Sequence, residues 1–324
     1  MPEHAIDPAL PSGLPDDGRG TVVTIGTFDG VHRGHWEVLK EITSRAAATN
    51  RRSVLVTFHP HPLTLVRPEV APRLLTMPDE KKEILAESGL DFAVFLTFSP
   101  VLASYSPRRF VEEILTGRLG MDELVIGYDH HFGKGRAGDA ETMRALGSEL
   151  GFAVDVVGPV MAGEAPISST RIRTALAEGD VEEAREGLGR PYSLRGLVVR
   201  GEGRGRTLGF PTANLNVVGG GPGEKLIPPP GIYAVWGILR SGAFAGALHV
   251  GPRPTFRGSP PTIELHLMDF EGDIYGEDVR VDFVQRLRDV EPFDSVRALV
   301  DQMRKDVDLA KRVLGSGPSV VEGV

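Results

Sequence analysis

The periodicity of the chain changes once, at Leu188-Gly189-Arg190-Pro191, and that change limits the fold more than any other feature. Before it, strand-like and helix-like patterns alternate. Short β-branched or apolar runs stand at 21–25, 53–58, 92–96, 123–127 and 152–157. Between them lie helical patterns at 35–49, 78–85, 107–115 and 141–150. In the first helical segment Trp36, Leu39, Lys40, Ile42 and Ala46 fall at helical spacing. The second opens with Pro78 followed by acids, as a helix N-terminus prefers. Such alternation implies a parallel sheet covered by helices. In open parallel sheets, ligands bind beyond the carboxyl ends of the strands. Residues 26–35 follow the first strand and occupy such an end.

After the change, strand follows strand: 192–200, 214–218, 231–239, 243–250, 262–267 and 279–283. Glycine and proline clusters at 219–223 and 228–231 separate them. This pattern suggests an antiparallel barrel or sandwich. A final helix over 295–313 begins at the capping pair Asp294-Ser295. Its apolar stripe is Val296, Leu299, Val300, Met303, Val307 and Leu314, and core packing is expected of it. A chain of 324 residues is long enough for two domains, each with its own core. The expected division is a flexible tail at 1–20, an α/β domain at 21–188, an all-β domain at 189–314 and a tail at 315–324.

The absence of cysteine excludes disulfides, thiolate metal sites and cysteine nucleophiles, and fits a reducing cytosol. A net charge of −8 argues against a nucleic-acid partner, while local arginine clusters leave small anions as substrates. The first twenty residues lack the basic start and apolar run of a signal peptide. No apolar stretch approaches the roughly 20 residues of a membrane span.

Two motifs carry chemistry. The first is Gly26-Thr27-Phe28-Asp29-Gly30-Val31-His32-Arg33-Gly34-His35. His32 and His35 stand three apart with Gly34 between them, where a loop turns into a helix. A helix N-terminus offers unpaired N–H donors and partial positive charge, and glycine lets a phosphate approach the backbone. Two imidazoles there are placed to donate hydrogen bonds to α-phosphate oxygens during in-line attack. The alternative is a solvated cap or half of a metal site, since His59, His61, His130 and His131 also exist.

The ten-residue string resembles the nucleotidyltransferases with a His-x-Gly-His signature. More closely, it is similar to the N-terminal half of prokaryotic bifunctional riboflavin kinase/FAD synthetase. That resemblance continues through Thr57-Phe58-His59-Pro60-His61-Pro62, Gly127-Tyr128-Asp129 with Phe132-Gly133, and Ile167-Ser168-Ser169-Thr170-Arg171-Ile172-Arg173. It implies a Rossmann-like nucleotidyltransferase sheet. It also implies an adenylylation site in which Gly26, Phe28, Asp29, Gly34, Asp129, Ser168, Ser169 and Thr170 contact nucleotide or flavin. Ser168 or Ser169 would cap the following helix, and Arg171 would meet the β- and γ-phosphates. The chain departs from the family after Asp129, where His130 and His131 replace an aromatic and a basic residue.

The second motif is Gly201-Glu202-Gly203-Arg204-Gly205-Arg206-Thr207-Leu208-Gly209, followed by Phe210-Pro211-Thr212-Ala213-Asn214. The glycine-rich part lacks the Lys-Ser/Thr of a P-loop and reads equally as a flexible hairpin. Thr212 and Asn214, two apart on a strand, face the same way, and their oxygens suit Mg²⁺ with ATP phosphates. Glu264 and His266 share one face of the strand at 262–267. The strings at 211–214, 251–256 and 264–275 look like the riboflavin kinase module. The resemblance implies a terminal antiparallel barrel, nucleotide contacts from Gly203, Arg204 and Gly205, metal contacts from Thr212 and Asn214, and Glu264 as base for the ribityl hydroxyl. Arg253 is expected to anchor the barrel, and His249 stands where the family commonly has asparagine.

Together these features predict a cytoplasmic bifunctional enzyme that takes riboflavin, FMN and ATP, with Mg²⁺. Two other readings are compatible with the sequence. One is a single-activity nucleotidyltransferase, which would not need Thr212, Asn214 and Glu264. The other is a flavin-binding or regulatory protein with one degenerate site.

Overall fold

Burial along the first strand, β1 (Thr21–Ile25), is complete, because its side chains alternate between two helix-covered faces. A computed structural model describes residues 14, 17–128, 138–201, 203–217, 219, 221, 223–252, 262–315 and 317. On one face Val22 shares a core with Val38, Leu39, Ile42 and Ala46 of α1 (Arg33–Ala48). On the other, Val23 and Ile25 join Tyr105, Phe110, Ile114 and Met143.

β2 (Arg52–His59), β3 (Phe92–Thr97), β4 (Met121–Gly127) and β5 (Ala153–Val157) complete a parallel sheet in the order β3-β2-β1-β4-β5. The order reverses between β1 and β4, which opens a crevice beyond their carboxyl ends. The motif after β1 therefore lies at the switch point. The connecting helices are α2 (Pro62–Val66), α3 (Pro78–Ala86), α4 (Pro100–Ala103), α5 (Pro107–Phe110) and α6 (Ala140–Leu150). The helix expected over 107–115 changes character midway. After Phe110 the chain widens into a π-helical turn, Val111–Thr116, with Gly117 N–H donating to Glu112 O. That turn keeps Val111, Ile114 and Leu115 buried in one core.

A short hairpin, β6 (Met161–Ala162) and β7 (Ala165–Pro166), leads to α7 (Ser169–Glu178) and α8 (Val181–Leu188). The chain divides into two compact units, Met1–Ser169 with Gly221–Glu224, and Thr170–Gly220 with Lys225–Val324.

In the second unit β8 (Ser193–Val199), β9 (Ala213–Asn216), β10 (Gly231–Leu239), β11 (Gly242–Gly251), β12 (Thr262–Leu267) and β13 (Asp278–Arg288) form a closed barrel in the order β10-β11-β12-β9-β8-β13. Its strands pair antiparallel throughout this order. Closure resolves the barrel-or-sandwich alternative and removes unpaired edges. Tyr233, Val235, Leu248, Leu265, Val281 and Phe283 are among its buried residues. Ala234 and Trp236 of β10 pack instead with Ala310 and Leu314 of α10 (Val296–Leu314). The glycine-rich segment at 201–209 is not a hairpin. It contains a one-turn helix, α9 (Arg204–Thr207), entered through Gly203 at φ +69° and closed by Phe210 N–H donating to Gly205 O.

The expectation that the whole stripe of α10 is core needs correction. Leu314 is buried, Val296 is 53% exposed, and Leu299 and Met303 line a cleft. The barrel covers only the later turns of the helix.

Candidate functional site

The loop after β1 is strained. Phe28, Gly30 and Val31 have φ of +45°, +84° and +39°, the left-handed region that β-branched Val31 enters rarely. Buried polar contacts hold it. Asp29, 1% exposed, accepts hydrogen bonds from Leu75 N–H at 3.0 Å, Thr76 N–H at 3.0 Å and Thr76 Oγ1 at 3.3 Å. Gly30 N–H donates to Thr76 Oγ1 at 3.0 Å. Asp29 is thus a loop anchor, and it also lines a small cavity with His59, His61 and Thr76.

His32 caps α1. Its Nδ1 accepts from His35 N–H and the His35 Nδ1 accepts from His32 N–H, each at 3.3 Å. A neutral imidazole that accepts at Nδ1 carries its proton at Nε2. Each ring therefore carries its N–H donor at Nε2. The rings stack at 3.6 Å and 15°, and Phe28 stacks on the other side of His35 at 4.5 Å. A Cβ at Gly34 would stand 3.2 Å from the His32 ring, so glycine gives that ring its room. Gly26 N–H is bound to Val56 O, which ties the loop to β2. Ser169 Oγ donates to Asp29 O at 2.9 Å, bringing the start of α7 to the loop. Ser168 directly precedes that helix.

Thr170 and Arg171 fall in the second unit. Arg171 Nε donates to Glu183 Oε1 of α8 at 2.8 Å. Asp129, with His130, His131, Phe132 and Gly133, lies outside the described residues, as do Arg253 and most of the expected tails at 1–20 and 315–324.

The second unit holds a cleft of about 1090 Å³, counting space open to solvent. Thr212, Asn214, Glu264 and His266 line its polar side. Leu299, Met303 and Val307 of α10 supply apolar surface, and Gly203 with Arg204 and Gly205 of α9 line it as well. Glu264 of β12 stands opposite Asn214 of β9 in the ladder, so the two side chains are neighbours on one face. The Glu264 carboxylate accepts from Thr212 Oγ1 at 3.2 Å and from Thr262 Oγ1 at 2.9 Å. A threonine that donates its only hydroxyl proton to a carboxylate keeps its lone pairs for a cation. A Cβ at Gly205 would stand 2.3 Å from Phe210 O and 2.9 Å from Thr212 Oγ1, so glycine is required for this close approach.

The two histidines of this cleft are held by carbonyls. His266 Nδ1–H donates to Pro211 O at 2.8 Å, and His249 Nε2–H donates to Pro252 O at 3.1 Å. His249 lies opposite Glu264 in the β11–β12 ladder.

Sequence reasoning missed the ion pair that also lines the cleft. Arg288 grips Asp306 with two hydrogen bonds, Nε to Oδ1 at 2.8 Å and Nη2 to Oδ2 at 2.7 Å, and Gln302 adds a third at 2.9 Å. The available signal was a carboxylate on the apolar face of α10, between Met303 and Ala310. Removing one member of a buried pair leaves an uncompensated charge. Asp306→Ala is expected to lower the unfolding free energy of the barrel by about 3 kcal/mol, and Arg288→Met with Asp306→Leu to recover most of it. Urea titration of the full chain measures both; a loss below about 1 kcal/mol for the single change contradicts the assignment.

Residues 14–171 match the FAD synthetase family and residues 188–314 the riboflavin kinase family. The chain is 37% identical over 294 residues to the bifunctional riboflavin kinase/FMN adenylyltransferase of Pseudomonas fluorescens, covering 90% of this chain and 93% of that protein. It is 34% identical over 297 residues to the Bacillus subtilis (strain 168) protein of the same name, covering 90% and 92%. A crystal structure described as a macrolide-efflux protein from Streptococcus pneumoniae matches with TM-score 0.80 at 33% identity, covering 91% and 94%. That description differs from the names of the two sequence relatives. Among the described residues no helix is long and apolar enough to cross a membrane.

Proposed function

Because the chain belongs to the bifunctional riboflavin kinase/FMN adenylyltransferase family, we propose that its two sites act on opposite ends of the ATP triphosphate. The chain phosphorylates riboflavin to FMN and adenylylates FMN to FAD. We assign adenylyl transfer to 21–188 and phosphoryl transfer to 189–314, with tails at 1–20 and 315–324. The observation that carries the division is that each compact unit holds its own set of phosphate-handling groups, the His32–His35 cap in one and Thr212, Asn214 and Glu264 in the other.

In the first site a phosphate oxygen of FMN attacks the α-phosphorus, and the bond to the β-phosphate breaks to release pyrophosphate. The Nε2–H groups of His32 and His35 donate to the α-phosphate oxygens as charge builds. The N-terminus of α1 adds unpaired N–H groups and partial positive charge. Ser168, Ser169, Thr170 and Asp129 are assigned to nucleotide or flavin contact by family likeness, and Arg171 to the departing pyrophosphate.

In the second site the 5′-hydroxyl of riboflavin attacks the γ-phosphorus, the bond to ADP breaks, and Glu264 takes the hydroxyl proton. Gly203, Arg204 and Gly205 stand over the phosphates. Thr212 and Asn214 fit Mg²⁺, since both offer hard oxygens beside the Glu264 carboxylate and the rest of the shell would come from phosphates and water. Bound there, Mg²⁺ supplies charge neutralisation at the β- and γ-phosphates. Small molecules are the expected partners, with the cytoplasm as location.

Incubating the full chain with riboflavin, ATP and Mg²⁺ and separating the flavins tests the reading. FMN should appear first and FAD after it. FMN alone would mean that the first site is inactive, and neither product would mean that the chain only binds flavin.

A further inference from the structure

We propose that Lys81 is a positioning residue for adenylyl transfer, whose buried ammonium holds the Thr27 carbonyl and through it the Phe28–His35–His32 stack. The inference rests on the assignment of His32 and His35 to that reaction.

The run Glu80-Lys81-Lys82-Glu83 in α3 looks like a solvated helix surface, yet Lys81 is only 7% exposed. Its Nζ donates to Thr27 O at 2.7 Å, and Thr57 Oγ1 donates to the same oxygen at 3.0 Å. That oxygen belongs to the peptide plane joining Thr27 to Phe28. Rotation of this plane about the N–Cα bond of Phe28 is the φ angle of Phe28. Two donors fixed on α3 and β2 therefore pin a φ of +45°, which an L-phenylalanine would otherwise leave. Phe28 is the outer ring of the stack on His35. If the peptide relaxes, Phe28 withdraws and the imidazoles lose the wall that sets their direction.

The clamp works against its own solvation. Burial pushes the Lys81 ammonium below the ordinary lysine pKa, and the charge of Asp29 offsets this only in part. A folded-state pKa below the unfolded one means that the charged amine opposes folding at neutral pH. Thr57 alone already satisfies the carbonyl. A buried cation in this place is therefore not explained by stability, whereas strain held beside a reactive pair is explained by orientation.

Lys81 also lines a small cavity with Asp29, His59, His61 and Thr76, so contact with substrate is the competing role. Steady-state adenylylation of FMN by the full chain separates the two. For Lys81→Met, kcat should fall about tenfold to a hundredfold, with KM for ATP and FMN within about twofold of wild type. Thr57→Val, which removes the other donor to the same carbonyl, should lower kcat in the same sense, and the two losses should not multiply. FMN formation from riboflavin should be unchanged in both. An unaltered kcat in Lys81→Met overturns the inference. So does a raised KM at constant kcat, which marks a substrate contact. A loss confined to Lys81→Met that tracks unfolding near the assay temperature overturns it as well. Wild-type chain that makes no FAD would overturn the adenylylation assignment and this inference with it. Wild-type chain that makes FAD beside an unaffected Lys81→Met overturns the inference alone.

Discussion

A chain carrying His35→Ala should convert riboflavin to FMN at the wild-type rate and then stop, with FAD formation reduced about 10²–10³-fold, the usual effect of losing one preorganised donor at a developing charge. FMN should accumulate in the flavin separation as it does not in wild type. The geometry refines the choice of variant for the other histidine. His32 is both a donor and the N-cap of α1, so His32→Ala also costs about 1 kcal/mol of helix stability. His32→Asn keeps an oxygen acceptor for His35 N–H and removes only the Nε2–H donor. It should lose FAD formation about as severely as His35→Ala while unfolding like wild type. The two imidazoles stack at 3.6 Å and serve one charge, so the double variant should lose far less than the product of the single losses. FAD formation within about threefold of wild type in either single variant would remove these rings from the reaction.

Parts of this arrangement were legible in the sequence for physical reasons. The parallel sheet was legible because strands buried on both faces read as continuous apolar runs, as Val22 to Ile25 do. The imidazole pair was legible because a cap at a strand-to-helix turn is local, needing only His32, Gly34 and His35. Barrel closure was less so, since it depends on β8 pairing with β13 and β9 with β12, segments dozens of residues apart. Strand patterns alone left a sandwich open. Lys81 and Asp306 were invisible for the same reason. Each is a charged residue on a helix, and only the segment packed against it, Thr27 in one case and Arg288 in the other, turns it from surface to buried. The anchoring role of Asp29 was hidden in the same way: its partners at Leu75 and Thr76 lie 46 and 47 residues along the chain.

In the barrel, Thr212→Val should cost more than Glu264→Gln. Transfer of a terminal phosphoryl group passes through a loose transition state in which little proton transfer has occurred, so positioning and charge neutralisation dominate. Thr212 contributes to both, because its hydroxyl proton goes to Glu264 and its side chain lines the cleft. Valine keeps the shape and deletes the oxygen. FMN formation should fall about 10³-fold, the upper range for one lost electrostatic contact at a reacting centre. Part of that loss should return as Mg²⁺ is raised, because the variant binds the cation less tightly rather than misusing it. Glu264→Gln deletes the base and the negative charge but retains an oxygen to accept from Thr212 or Thr262. Its loss should be about 10²-fold, at the low end for general bases, and insensitive to added Mg²⁺. Adenylylation of supplied FMN should be untouched in both variants, since His32 and His35 belong to the other compact unit. Equal losses, a reversed order, or Mg²⁺ rescue of Glu264→Gln would mean that the carboxylate holds the cation and that Thr212 merely orients it.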